Sequence, residues 1–154
     1  MYSMAADWTV SPMNNSDVDL PGDALRQLAR LLRVELASRA DVEFQVLPIE
    51  QMIVKPTNKH AATLSVWVDG DMMTIGVGRL TVIPIDSPSV EGDVELVRDF
   101  AMRLVEFGLA EETQILWGRE RLVRSSIRGG VSRSLARNVR VPLFRTTLRT
   151  YQPY

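Results

Sequence analysis

The sequence has no cysteine, one histidine and only two lysines. Without cysteine there are no disulfides, no thiolate zinc sites and no cysteine nucleophiles. A single imidazole, that of His60, is too little for a multi-histidine metal site within one chain. A Ser-His-Asp triad stays formally possible, but a loop position beside Lys59 is the simpler interpretation of His60. We therefore predict neither a metal nor a cofactor.

Long apolar runs are also missing. None approaches the roughly 20 residues that a membrane helix needs, and residues 1–10 lack the basic and apolar regions of a signal peptide. Apolar residues make up 45% of the chain and charged residues 24%, which is close to the average for globular proteins and argues against disorder. We expect a cytoplasmic protein with no membrane partner. The length of 154 residues predicts one domain over 19–154, preceded by a mobile arm over 1–18.

Motifs of catalysis are absent as well. The sequence contains no phosphate-binding glycine loop, no dinucleotide fingerprint and no serine-nucleophile elbow. The neighbouring carboxylates have structural explanations, because Asp69 and Asp71 flank a tight turn and Glu111-Glu112 begins a strand. Nothing argues for an enzyme, and we favour a function without chemistry of its own.

The clearest local structure lies between residues 61 and 86. Asp69-Gly70 separates two alternating runs, which predicts a β-hairpin with these two residues in its turn. That turn places Val66 opposite Met73 and Leu64 opposite Ile75, so that one face of the ribbon is apolar. Gly76 and Gly78 in the second strand indicate a bend or the close approach of another backbone.

The remaining pattern predicts an α+β fold. Two amphipathic helices are expected over 24–38 and 90–107. An antiparallel sheet of about five strands, centred on 62–85, is expected to carry both helices on its apolar face. Its other strands are predicted at 42–47, 49–54 and 80–85, and 113–117 predicts one more short strand.

Charge is distributed unevenly along the chain. Residues 1–118 hold nine basic and eighteen acidic residues, giving 9 − 18 = −9, whereas residues 119–154 hold nine arginines and one glutamate, giving 9 − 1 = +8. Within this basic C-terminal segment, 119–128 predicts a helix, 132–138 a further turn of helix, and 139–144 an extended stretch.

The bipolar charge suggests binding, since such fields steer partners together. We expect a protein-binding module, and the order of elements is common among small modules such as secretion chaperones and immunity proteins. The alternative is nucleic-acid or other polyanion binding through 119–149. A competing use of the arginines is internal, against the acidic body. The residues proposed to contact a partner or an anion are Arg119, Arg121, Arg124, Arg128, Arg133 and Arg137.

Overall fold

The computed structural model describes residues 20–86, 89–128 and 134–154. The arm predicted over 1–18 and the candidate Arg133 lie outside these ranges. The elements in chain order are α1 (Pro21–Glu35), β1 (Ala40–Gln45), β2 (Gln51–Pro56), β3 (Leu64–Asp69), β4 (Met72–Val77), β5 (Thr81–Ile85), α2 (Val90–Phe107), β6 (Leu109–Leu116), β7 (Arg119–Ile127), β8 (Ser134–Arg137) and β9 (Thr146–Tyr151).

The predicted α+β class is confirmed. Strands β1 to β5 form an antiparallel sheet in which each strand pairs with its neighbour in the chain. Its buried face and the buried stripes of both helices make one apolar core, to which each alternating strand contributes every second residue. Helix α2 begins where Ser89 Oγ accepts a hydrogen bond from Gly92 N, and it ends at Gly108, whose φ of 73° favours glycine.

The central hairpin keeps the predicted face but not the predicted partners. Val66 pairs with Ile75 and Leu64 with Val77, so the prediction that Val66 faces Met73 is wrong. The two-residue turn is Gly70-Asp71, and Gly70 alone has a positive φ, 61°, as in a type II′ turn. Because the shift in pairing is two residues, the same side chains still point into the core.

The basic C-terminal segment belongs to a second antiparallel sheet, in the order β8-β7-β6-β9. The helix predicted over 119–128 is wrong, since residues 119–127 form β7 and Arg128 follows it. The helical turn predicted within 132–138 is wrong where it is described, because Ser134–Arg137 is β8. Residues 138–145, predicted in part as extended, form an irregular loop, which we call the cover loop.

A buried carboxylate joins the two sheets. The side chain of Glu111 in β6 is fully buried and accepts hydrogen bonds from the backbone N–H groups of Arg79, Leu80 and Thr81, at 3.2, 3.0 and 2.9 Å. It also accepts from Thr81 Oγ1 at 2.6 Å and from the Tyr151 hydroxyl at 3.1 Å. The β4–β5 turn therefore forms a backbone nest around an anion supplied by the second sheet.

Gly78 makes this junction possible. It has a φ of 64°, and a Cβ at this position would lie 2.9 Å from Leu109 Cδ2 and 3.0 Å from Glu111 Oε1. The close approach at Gly78 is thus made by side chains of β6 rather than by the backbone expected near the strand glycines. Burial and the neighbouring Glu111 carboxylate raise the pKa of Tyr151, whose hydroxyl stays protonated as a donor.

Candidate functional surface

A β-bulge brings the arginines of β7 to one face of the second sheet. Arg119, Arg121 and Arg124 lie opposite Leu116, Gln114 and Glu112, which alternate on one side of β6. The arginines are spaced by two and then three residues, yet all three point to the same face, because the pairing shifts by one residue between Glu112 and Thr113. Arg137 of β8 lies opposite Arg124 and extends the same face. We call this side of the sheet the arginine face.

A cleft of about 790 Å³ opens on this face, where the end of β8 leads into the cover loop. Glu112 is the one carboxylate among its described lining residues, and Arg140 Nη2 lies 3.5 Å from Glu112 Oε2. Three arginines and one glutamate give the lining a charge of 3 − 1 = +2. The lining residues are Glu112, Val123, Arg124, Arg137, Asn138, Val139 and Arg140.

The candidate arginines within the described ranges are exposed, and ion pairs with acidic residues account for few of the described charges of the segment. Among the described residues, the ion pairs made by arginines of 119–154 are Arg140 with Glu112, and Arg149 with Glu120 at 3.4 Å. Neither arginine was a candidate. The described candidates form no ion pair within the part of the chain that the structure describes, so the acidic body does not neutralise them. Arg124 and Arg137 come together in the cleft, while Arg128 lies beyond the end of β7.

The cover loop is held by one buried side chain. Gln114 donates from Nε2 to the carbonyl oxygens of Val141 and Phe144, at 3.1 and 3.0 Å, and its Oε1 accepts from Val141 N at 3.0 Å. At the start of the loop, Asn138 donates from Nδ2 to the Leu122 carbonyl at 2.9 Å. These bonds fix the loop across the arginine face and connect the cleft at Arg140 with the aromatic residue Phe144.

An apolar patch lies at the other end of the cover loop. Trp117 is 89% exposed, and its ring meets that of Phe144 edge-on, with centroids 6.4 Å apart. Leu143 is fully exposed beside Phe144 in the chain. We call Trp117, Leu143 and Phe144 the aromatic patch. None of these three residues was predicted as a site, although a Trp-Gly pair directly after an alternating strand is a signal for an exposed hairpin turn.

The backbone beneath this patch is unusual. Trp117 and Gly118 are the central residues of the β6–β7 hairpin, with φ of 48° and 76°, the type I′ pattern that favours Asn-Gly. Leu143 has a φ of 75°. Trp117 and Leu143 are the two non-glycine residues with positive φ in the described ranges. Large exposed apolar side chains thus occupy the positions where the backbone disfavours them.

Features of other site classes are few. The described residues contain no group of three or more His, Asp or Glu side chains arranged to hold a metal ion. His60 is exposed in the loop between β2 and β3, as expected. No helix within 20–86 or 89–128 is long and apolar enough to cross a membrane.

Comparisons with protein-family models, with curated proteins and with solved structures found no match to this chain.

Proposed function

We propose that this protein binds another protein, through the aromatic patch and the adjoining arginine face. The observation that carries the proposal is the exposed Trp117, held at a turn position that favours asparagine or glycine. At this position a tryptophan gains neither a favourable backbone conformation nor burial within its own chain. A contact with another molecule explains its presence. Secretion chaperones and immunity proteins are examples of small modules that act in this way, by binding alone.

The composition of the surface supports a protein partner of complementary charge. Trp and Arg are enriched among residues that dominate binding energy, and both lie on this surface. The exposed side chain of Leu148, opposite Glu112, adds apolar surface to the arginine face itself. A partner with an apolar pocket rimmed by carboxylates complements this arrangement.

Replacing Trp117 by asparagine is the sharpest test of this proposal. Because asparagine suits the first central position of a type I′ turn, Trp117→Asn is expected to keep or raise the melting temperature. Loss of a central aromatic anchor is expected to weaken partner binding by about 2 kcal/mol, which is about 30-fold in Kd. Crosslinking in cell extract, followed by mass spectrometry, identifies the partner, and titration of that partner measures the loss.

The matched control is Val34→Gln, which removes a side chain that is 80% exposed on α1, away from this surface. It is expected to bind the partner as the unmodified chain does. Equal binding by Trp117→Asn and the unmodified chain would contradict the proposal.

A second candidate function is binding of single-stranded nucleic acid. The alignment of Arg119, Arg121 and Arg124 on one strand face, beside an exposed tryptophan, favours it, since such proteins combine a basic track with aromatic side chains on which bases stack. The aliphatic residues of the surface are not explained by this function, which is why it comes second.

Titration of a labelled oligonucleotide at two salt concentrations tests the second candidate. If three arginines neutralise three phosphates, the affinity is expected to fall about 20-fold between about 50 and about 200 mM salt. Arg121→Glu with Arg124→Glu is expected to abolish binding, while Arg128→Glu, beyond the end of β7, is expected to leave most of it. No binding at the lower salt concentration excludes this function.

A further inference from the structure

The cleft on the arginine face carries more positive charge than the carboxylates of the described residues neutralise. Arg124 and Arg137 are directly opposite each other on neighbouring strands, an arrangement of like charges that destabilises a sheet. Glu112 lies opposite Arg124 on the other side, yet its ion pair is with Arg140. Among the described lining residues, one carboxylate faces three guanidinium groups.

The shape of the cleft adds a second constraint. Its volume of about 790 Å³ exceeds what a single inorganic anion fills and falls in the range of small-molecule pockets. Val123 and Val139 contribute apolar lining next to the charged groups. A ligand that matches both features has a compact anionic group with two charges and an apolar body attached to it.

We propose that this cleft binds a phosphate monoester. The dianionic phosphate is placed between Arg124 and Arg137, where guanidinium groups form paired hydrogen bonds to phosphate oxygens, and the organic group lies against Val123 and Val139. Glu112 competes with the phosphate for Arg140, because its carboxylate forms an ion pair with Arg140. The site includes Arg124 and Arg137 of the arginine face but lies at the opposite end of the cover loop from Trp117, so phosphate binding can be tested without the partner.

Phenyl phosphate is the test ligand, and phenyl sulfate is its singly charged isostere. Binding to the full chain is followed by NMR, using the Nε–Hε signals of Arg124 and Arg137, at a pH about one unit above the second phosphate pKa of about 6. We expect phenyl phosphate to bind about tenfold more tightly than phenyl sulfate, because the cleft carries two excess charges. Inorganic phosphate, which lacks the apolar body, is expected to bind more weakly than the ester, and equal binding identifies the free ion as the ligand.

The variants separate a binding role from a structural one. Glu112→Gln frees Arg140 and removes a negative charge, so phenyl phosphate is expected to bind about fivefold more tightly. Arg124→Gln and Arg137→Gln are each expected to weaken binding about tenfold, while Arg128→Gln, outside the cleft, is expected to leave it unchanged.

Four results overturn the proposal: no shift of the arginine signals at millimolar phenyl phosphate, equal binding of phenyl sulfate, equal binding of inorganic phosphate, or no gain in affinity for Glu112→Gln. The Glu112 variant keeps the test decisive if an arginine variant fails to fold, since a purely structural carboxylate gives no gain in affinity when it is removed.

Discussion

Replacing Glu111 by alanine is expected to lower the free energy of unfolding by about 3–5 kcal/mol. The carboxylate is fully buried and accepts five hydrogen bonds, three of them from the backbone of the β4–β5 turn. Its loss leaves these backbone N–H groups, of which that of Thr81 is buried, without their acceptor and removes the polar contact between the two sheets. Urea unfolding followed by circular dichroism measures the change.

Two further substitutions show whether the carboxylate itself is responsible. Glu111→Gln keeps the shape but turns one acceptor oxygen into a donor facing other donors, so we expect an intermediate loss. Glu112→Ala, at the neighbouring position on the opposite face, removes a single ion pair of a partly exposed carboxylate and is expected to cost less than about 1 kcal/mol. A Glu111→Ala variant as stable as Glu112→Ala would show that the junction contributes nothing.

Replacing Val66 by aspartate is expected to unfold the protein. Val66 lies in the middle of β3, fully buried, paired with Met52 on one side and Ile75 on the other. A carboxylate has no partner there. Unless the carboxyl group is protonated, burying its unpaired charge costs more than the roughly 5–15 kcal/mol by which domains are stable. The near-ultraviolet circular dichroism signal and the cooperative melt are both expected to disappear.

Val82→Asp is the matched control for this substitution. Val82 belongs to the same sheet, but it is 55% exposed and lies opposite Gly76 on the other face. This variant is expected to melt within a few degrees of the unmodified chain. Cooperative melting of Val66→Asp near the unmodified temperature would show that the face assigned to the core is wrong.

The first sheet could be predicted from the sequence because its strands are marked by local alternation and pair with their neighbours in the chain. Alternating residues place Leu64 and Val66 on the same side as Ile75 and Val77, and each strand pairs with the next one in the chain. The exact partners were missed because Asp69-Gly70 and Gly70-Asp71 are both good turn sequences. Choosing between them depends on which residue takes the positive φ, and composition does not decide that.

The second sheet was missed because its pattern is not the regular alternation of a strand. The bulge in β7 spaces Arg119, Arg121 and Arg124 by two and then three residues, a spacing that overlaps with that of a helix face. Glu111 and Glu112 are adjacent and chemically equal in the sequence, yet one is buried between the sheets and the other lines the cleft. Only the pairing of distant strands distinguishes them.

The candidate surface was predicted in part. Charge counting found the arginines, because net charge is a property of the sequence. It did not separate Arg124 and Arg137, which meet in the cleft, from Arg128, which does not. Trp117 was expected to end a short strand, and its place at the tip of a hairpin follows from β7, which was not predicted.

Residues 152–154 form hydrogen bonds with the segment between β2 and β3, which lies far from them in the sequence. Gln152 N donates to the His60 carbonyl, and the Tyr154 hydroxyl donates to the Ala62 carbonyl, across 92 residues. During synthesis β1 to β5 emerge in the order in which they pair, so this sheet can form early from local contacts. The segment between β2 and β3 gains these partners only after residue 154 has left the ribosome. The first sheet can therefore form before the contacts that join it to residues 152–154.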